Sequence, residues 1–227
     1  MLTAHGEVKY MKSIFPGVYL IDNKLATINL VPGKQVYTER LIKKEGKEFR
    51  MWDPFRSKLA AAIKKGLKVF PFSEGSKVLY LGASTGTTVS HISDIVGNEG
   101  EIFAIEISAH VMKSLLKLAE QRNNVIPILS DANKPEEYID IGQVDIIYQD
   151  VAQVNQSEIL IKNAQKFLVP NGIAMLAIKS QSIDVTKKPS EVFKSELSKV
   201  SQSFEILEKF ELEPFDKDHL FVVLRKR

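Results

Sequence analysis

The chain of 227 residues has no cysteine, which excludes disulfides and thiolate metal sites and makes a cytoplasmic location the natural expectation. It has no run approaching the apolar length of a membrane span and no signal-peptide core at its start, so no membrane partner is expected. Histidine is scarce, and the four at positions 5, 91, 110 and 219 lack metal-ligand spacing, so no metal is expected. A large excess of one charge is missing too. A net charge of +3 and an isoelectric point near 8.8 are weak for a protein gripping nucleic acid unaided, because that affinity comes from many released counterions. Basic clusters at Lys43, Lys44 and Lys47, within 56–68, and at Lys187 and Lys188 read first as solvated faces. Such modest basicity suits a nucleic-acid enzyme that partners deliver to its substrate.

What is present is a globular composition, 44% hydrophobic and 26% charged, enough for one sizeable core and a small appendage. Positions 1–54 read as a small, mostly antiparallel β domain. There Pro16-Gly17, Asp22-Asn23, Pro32-Gly33 and Glu45-Gly46 punctuate runs at 18–21, 34–37 and 49–52. Positions 55–227 read as a Rossmann-like α/β domain. Ser57 is placed to cap a helix expected from Lys58 to about Val69. Strands are expected at about 77–82, 101–106, 125–129, 144–150 and 172–179, with helices after the first two and at about 157–168 and 190–201, and a loop over 131–138. Two closing runs, 204–212 and 219–224, are joined by a short turn and predict an antiparallel hairpin on an otherwise parallel sheet.

The most telling segment is Lys77 to Thr88. An apolar run breaks into Gly82-Ala-Ser-Thr-Gly86, a helical pattern follows, and the next apolar run ends on Glu106. This is the nucleotide end of a βαβ unit. Gly82 and Gly86 are expected to let the backbone approach a ligand, and an acid at the second strand's end accepts hydrogen bonds from ribose hydroxyls. The turn is not G-x-G-x-x-G and no Gly-Lys-Ser/Thr occurs, so dinucleotide and triphosphate sites fit poorly. A turn lined with Ala83, Ser84, Thr87 and Thr88 fits S-adenosylmethionine. The same residues also satisfy G-x-S-x-G, with Asp150 or Asp184 and then His219 in hydrolase order. Against a Ser84 hydrolase, the wound pattern begins only at Lys77, no oxyanion segment precedes it, and Glu106 is left without a task.

Ligands of open α/β sheets sit beyond the carboxyl ends of the strands. Glu106, Asp131, Asp150 and Lys179 stand at or just past those ends, and Asp131 with Ala132 is placed to meet an adenine. Asp150 and Lys179 end neighbouring strands in the usual layout, with Lys58 a candidate second cation. A structural salt bridge is the plainer reading of such a pair.

The motifs Leu79-Tyr-Leu-Gly-Ala-Ser-Thr-Gly-Thr-Thr88, Asp150-Val-Ala-Gln153, Lys179-Ser-Gln-Ser-Ile-Asp-Val-Thr186, Arg56-Ser-Lys-Leu-Ala60 and Glu213-Pro-Phe-Asp-Lys-Asp-His219 together resemble fibrillarin, from about Gly17 onward. The Gly/Arg-rich tail of eukaryotic members is missing, which points to the archaeal form. The resemblance implies a 2′-O-methyltransferase that uses S-adenosyl-L-methionine on rRNA, and in archaea also tRNA. The target would be selected by a box C/D guide RNA, with a Nop-domain scaffold protein and a kink-turn-binding protein as partners.

Carried over by position, Gly82, Ala83, Ser84, Thr87 and Thr88 would line the methionine and ribose part of the cofactor. Glu106 would hold the ribose hydroxyls, Ile107, Asp131 and Ala132 would edge the adenine, and Asp150, Val151, Ala152 and Gln153 would close the pocket. Lys58, Asp150, Lys179 and His219 would form the catalytic set. In it Lys179 meets the 2′-hydroxyl as base or electrostatic stabiliser, Asp150 orients it, Lys58 lowers its pKa, and His219 completes the pocket. Ile107 stands where the family often has an aromatic, His110 where it has arginine, Val154 where it has proline and Gln149 where it has an acid. Rival readings are a non-catalytic particle subunit, the Ser84 hydrolase, and a methyltransferase acting on protein or a small molecule without guide RNA.

Overall fold

The structure, a computed structural model, describes residues 10–227. His5 and the start of the expected N-terminal unit lie outside the described residues.

The first five strands form one antiparallel sheet: β1 (Met11–Phe15), β2 (Val18–Ile21), β3 (Lys24–Ile28), β4 (Leu41–Lys44) and β5 (Lys47–Met51), in the order β1-β2-β3-β5-β4. Two of its hairpins are tight two-residue loops. Asp22 and Asn23, and Glu45 and Gly46, all have positive φ, the backbone that matches strand twist. The run at 34–37 is not a strand. Its N–H groups at Val36 and Tyr37 donate to the Glu39 carboxylate at 3.0 and 2.8 Å, and Asn29 Nδ2 donates to the Lys34 carbonyl, so side chains take the place of a ladder partner.

Helix α1 (Lys58–Lys64) starts on Ser57, whose hydroxyl accepts from Ala60 N–H at 3.4 Å. It stops short of Val69. Gly66, at φ +101, lets Leu67 N–H reach the Ala62 carbonyl and its own N–H reach that of Ile63, a Schellman closure that a propensity count does not see.

The second sheet has seven strands. They are β6 (Lys77–Leu81), β7 (Glu101–Glu106), β8 (Val125–Leu129), β9 (Val144–Gln149), β10 (Leu168–Lys179), β11 (Phe204–Glu211) and β12 (His219–Lys226), in the order β11-β12-β10-β9-β6-β7-β8. Strands β6 to β10 pair in parallel, and β12 runs antiparallel to both β10 and β11, as the closing hairpin predicted. Between them run α2 (Thr87–Val96), α3 (Ala109–Ala119), α4 (Gln156–Phe167), a one-turn α5 (Ser180–Ile183) and α6 (Pro189–Val200). A 3₁₀ turn, Pro135–Ile141, occupies part of the expected loop.

Both faces of this sheet are covered, so its inner strands are mostly apolar rather than alternating, while the edge strand β11 (FEILEKFE) keeps exposed charges. Along β6, Val78 and Tyr80 pack on the face of α1, α2 and α3, while Leu79 and Leu81 enter the opposite core with Leu160 and Phe167 of α4. Chain order reverses between β6 and β9, which puts their carboxyl ends at the switch point where a ligand crevice forms.

The N-terminal sheet is fastened to α2 by buried charge. Asp94 accepts from Arg50 at 2.8 Å, Arg122 at 2.7 Å, Thr27 Oγ1 at 2.7 Å and Leu30 N–H at 3.0 Å. Arg50 Nε also donates to Glu39 at 2.6 Å. His91 joins this cluster stacked on Trp52, with ring centroids 4.8 Å apart. Among the described residues no helix is long and apolar enough to cross a membrane, and no group of three potential ligands is set to hold a metal.

Candidate active site

A cavity of about 370 Å³ opens at the switch point, lined by Gly82, Ser84, Glu106, Ile107, Ala132, Asp150, Val151, Ala152, Gln153 and Lys179, together with Ile105 and Ser130. Each stands at a strand's carboxyl end or in the loop after it. Glu106, the last residue of β7, is buried, and its carboxylate accepts from Ser84 N–H and Ser108 N–H, both at 2.8 Å. A carboxylate has about four acceptor positions, so two remain for a ligand diol. The first of those donors comes from a strained backbone: Ser84 has φ +51, a left-handed conformation at the tip of the turn.

The second half of the site is a chain of alternating charge. Lys179 ends β10 with its ammonium 2.8 Å from Asp150 Oδ1 and its hydrogen bond directed at the Asp150 carbonyl, 3.0 Å away. Lys58, in the first turn of α1, meets Asp150 Oδ2 at 3.2 Å and Asp216 Oδ2 at 3.3 Å. Asp216 Oδ1 then lies 2.9 Å from His219 Nδ1, which also faces the Lys217 carbonyl at 2.7 Å. Both neighbours of Nδ1 are acceptors, so Nδ1 carries the proton and Nε2 is the free nitrogen. His219 and Lys179 are direct register partners on β12 and β10, which brings this chain of five back to its own start.

Burial alone would weaken the Lys58 ammonium, but the carboxylates of Asp150 and Asp216 outweigh it and hold its pKa above the ordinary lysine value. Burial likewise favours a neutral Asp216. The His219 hydrogen bond and the Lys58 charge prevail, and its pKa lies below the ordinary value. Lys58 is therefore claimed by two carboxylates and reaches Lys179 only across Asp150. That geometry differs from a second ammonium placed directly against the first.

Not every expected residue lines the cavity. Ala83 is buried behind it. Thr87 lines a different hollow, with Tyr37, Arg56 and Lys117. Thr88 turns its hydroxyl to Ser57 Oγ at 3.0 Å, tying the turn to the start of α1. Asp131 stands just outside, where it accepts from Gln153 Nε2 at 3.0 Å; slight burial opposes its ionisation, but that bond and those from Asn133 keep its pKa low. Packing also leaves no room for a side chain at the two glycines of the turn. A Cβ on Gly82 would sit 2.8 Å from the Asp150 carbonyl oxygen, and one on Gly86 2.5 Å from Leu118 Cδ2.

The hydrolase geometry is not assembled. Among the described residues no hydrogen bond joins the Ser84 hydroxyl to His219, whose partner is Asp216; Asp150 pairs with Lys58 and Lys179, and Asp184 with Thr186 and Lys187. Sequence reading also missed two residues that shape the site. Asp216 links Lys58 to His219, and Gln156 Oε1 receives the backbone N–H of Lys179 at 2.9 Å while its own carbonyl is held by Gln149 Nε2.

A fibrillarin family model matches residues 9–227. The fibrillarin-like rRNA/tRNA 2′-O-methyltransferase of Pyrococcus furiosus is 53% identical over 225 residues, covering 96% of this chain and 99% of the relative. A structure of Aeropyrum pernix fibrillarin with natively bound S-adenosyl-L-methionine superposes with a TM-score of 0.89 at 44% identity, covering 96% of this chain and 99% of that one. The fibrillarin chain of a fibrillarin/Nop5p complex gives a TM-score of 0.88 at 44% identity, covering 95% and 100%.

Proposed function

The chain belongs to the fibrillarin family, and from that premise we propose that the cavity and the charge chain beside it form one methyl-transfer site. The protein is an S-adenosyl-L-methionine-dependent 2′-O-methyltransferase of rRNA and tRNA, and it works with a Nop5-type scaffold protein. The finer assembly is our reading. A box C/D guide RNA selects the nucleotide, a kink-turn-binding protein completes the particle, and the whole operates in the cytoplasm. Modest net charge supports this division of labour, since sequence reading and most of the grip on RNA lie elsewhere.

The residues fit the cofactor. The two unused acceptor positions of Glu106 suit a ribose diol, and Ile107, Ala132 and Val151 offer apolar surface for an adenine. Asp150 lines the same cavity, where a carboxylate favours a sulfonium. When bound, S-adenosyl-L-methionine supplies a methyl group already activated toward a nucleophile. The task left to the chain is to aim a ribose hydroxyl and remove its proton.

One observation carries the assignment: Lys179 lines the cofactor cavity and heads the charge chain at once. Its ammonium has three donors: the Asp150 carbonyl takes one, the Asp150 carboxylate lies 2.8 Å away as its ion pair, and a donor left over points the substrate hydroxyl and stabilises the charge growing on it. The free Nε2 of His219, opposite Lys179 in the sheet, accepts the proton. Asp216 holds that imidazole in the tautomer with Nδ1 protonated, and Lys58 spaces the two carboxylates.

The test is methyl transfer to a target RNA with and without guide RNA and scaffold protein. Ribose methylation at the guide-selected nucleotide, in the complete mixture alone, is the expected result. Transfer to a protein or small molecule without guide RNA would overturn the reading.

A further inference from the structure

A second cavity, of about 530 Å³, lies between the N-terminal sheet and α1 and takes no part in the chemistry above. Lys24, Arg40, Arg56 and Lys64 line it, all exposed, and none forms an ion pair among the described residues. The lining offers little negative charge in return. The Glu39 carboxylate is consumed by Arg50 and by backbone N–H groups, and Asp53 accepts from Phe55 N–H.

Aromatic rings stand among these cations. The Arg56 guanidinium lies 4.8 Å from the Tyr37 ring centroid and donates to the Tyr37 carbonyl at 3.1 Å, which fixes it as a flat, charged plate. Phe55 is 66% exposed, and its ring meets Phe215 edge-on at 5.2 Å. Phe215 precedes Asp216, and Lys58 follows three residues after Phe55, so the lip of this cavity is continuous with the reactive rim. On their other side, Tyr37 and Arg56 also line the smaller hollow that contains Lys117.

Unpaired cations beside the exposed Phe55 ring and the half-buried Tyr37 match single-stranded nucleic acid, whose phosphates meet the cations while its bases stack. An acidic peptide would use the cations and leave Phe55 idle. We propose that this cavity is a subsite for the RNA substrate strand. It holds the nucleotide next to the one being methylated, with its phosphate on Arg40, Arg56 and Lys64 and its base on Phe55. The proposal rests on the RNA methyltransferase reading and adds a specific hold on the strand to it.

The experiment uses the complete particle with substrate RNA carrying 4-thiouridine on either side of the target nucleotide. Photo-cross-links are mapped by mass spectrometry, and steady-state kinetics are run on variants. Cross-links should fall on the peptide containing Phe55. Arg40→Ala with Lys64→Ala, and separately Phe55→Ala, should each raise the RNA KM about tenfold while cofactor affinity by calorimetry stays within about twofold. The double variant should also flatten the salt dependence of RNA binding by about 0.7 per lost contact. Arg56→Lys, which keeps the charge and loses the plate, should fall between wild type and Phe55→Ala. Cross-links elsewhere with an unchanged KM would overturn the proposal. So would a double variant that releases the scaffold protein while its RNA cross-links persist, since the cations would then serve a protein. The cross-link requires no turnover, so it succeeds or fails independently of the methyl-transfer reading.

Discussion

The network around Asp94 and the chain around Asp150 both set carboxylates among cations beside a histidine, arginines in the first and lysines in the second, yet one holds two sheets together and the other is fit for chemistry. Asp94, Arg50 and Arg122 are almost wholly excluded from solvent, and donors meet acceptors on every side: Arg50 alone reaches Glu39, Asp94 and both oxygens of Ser90. Around Asp150 the three charged side chains each keep 17% of their surface exposed. There Lys179 has a donor to spare and His219 a bare nitrogen. A closed polar network leaves nothing with which to meet a substrate, whereas a chain left open on one side keeps unused donors and acceptors, and it touches the cavity through Asp150 and Lys179.

The most direct way to break this contrast is to remove the hub of the closed network. Asp94→Ala strands two buried guanidinium groups, so unfolding free energy should fall by about 3–5 kcal/mol, read from the urea midpoint at unchanged m-value. A loss under about 1 kcal/mol would mean that apolar packing alone fastens the sheets. Lys179→Ala is the mirror experiment. Turnover in the reconstituted particle should drop about 10²–10⁴-fold, while stability moves by no more than about 1 kcal/mol, the range of a partly exposed pair. Near-normal turnover would end the role assigned to Lys179.

The same contrast explains what could be read from sequence. Strands of the wound sheet were legible because both faces are covered, so 144–149 and 173–178 run apolar almost without interruption. Turn chemistry marked the hairpins at Asp22-Asn23 and Glu45-Gly46 for the same local reason. Long-range satisfaction was not legible. Nothing in Lys34 to Tyr37 says that Glu39 will take its N–H groups, and nothing in an acidic turn holding Glu213, Asp216 and Asp218 says which acid faces Lys58. The strand-end rule led to Glu106, Asp150 and Lys179. Asp216 is fixed only by the register of β12 against β10.

Asp216→Asn sharpens the comparison within the rim itself, because it keeps shape and removes one charge. Turnover should fall about tenfold as the hold on the His219 tautomer loosens. Lys58 has its pKa raised by two carboxylates, so its contribution is complete below the ordinary lysine value and is lost as pH rises through the higher, folded-state one. With Asp216 neutral, only Asp150 holds it up, and the alkaline loss of activity should move to lower pH. A profile that merely shrinks without moving would make Asp216 a packing residue.

The smallest effect expected separates the two networks by pH. His91 is buried between Thr27 Oγ1 at 2.8 Å and the Tyr37 hydroxyl at 2.7 Å. Thr27 already donates its proton to Asp94, so Nδ1–H donates to Thr27. In the neutral ring Nε2 is then an acceptor, and the Tyr37 hydroxyl gives its one proton there at 2.7 Å rather than to the Met51 carbonyl at 3.1 Å. Burial, then the charges of Arg50 and Arg122, push this imidazole well below its ordinary 6.5. Between that value and the depressed one the unfolded chain binds the extra proton, so stability falls as pH drops through 6.5. One proton amounts to about 1.4 kcal/mol by about pH 5.5. In His91→Gln, which keeps a donor and an acceptor but cannot titrate, that part of the slope should vanish from urea midpoints measured between about pH 7.5 and 5.5. Asp216, whose carboxyl is held below its ordinary value by the His219 hydrogen bond and the Lys58 charge against the pull of burial, stays ionised over that window. Identical slopes for wild type and His91→Gln would place a proton on His91 in the folded protein, and the network around Asp94 would then carry one more positive charge than its hydrogen bonds accommodate.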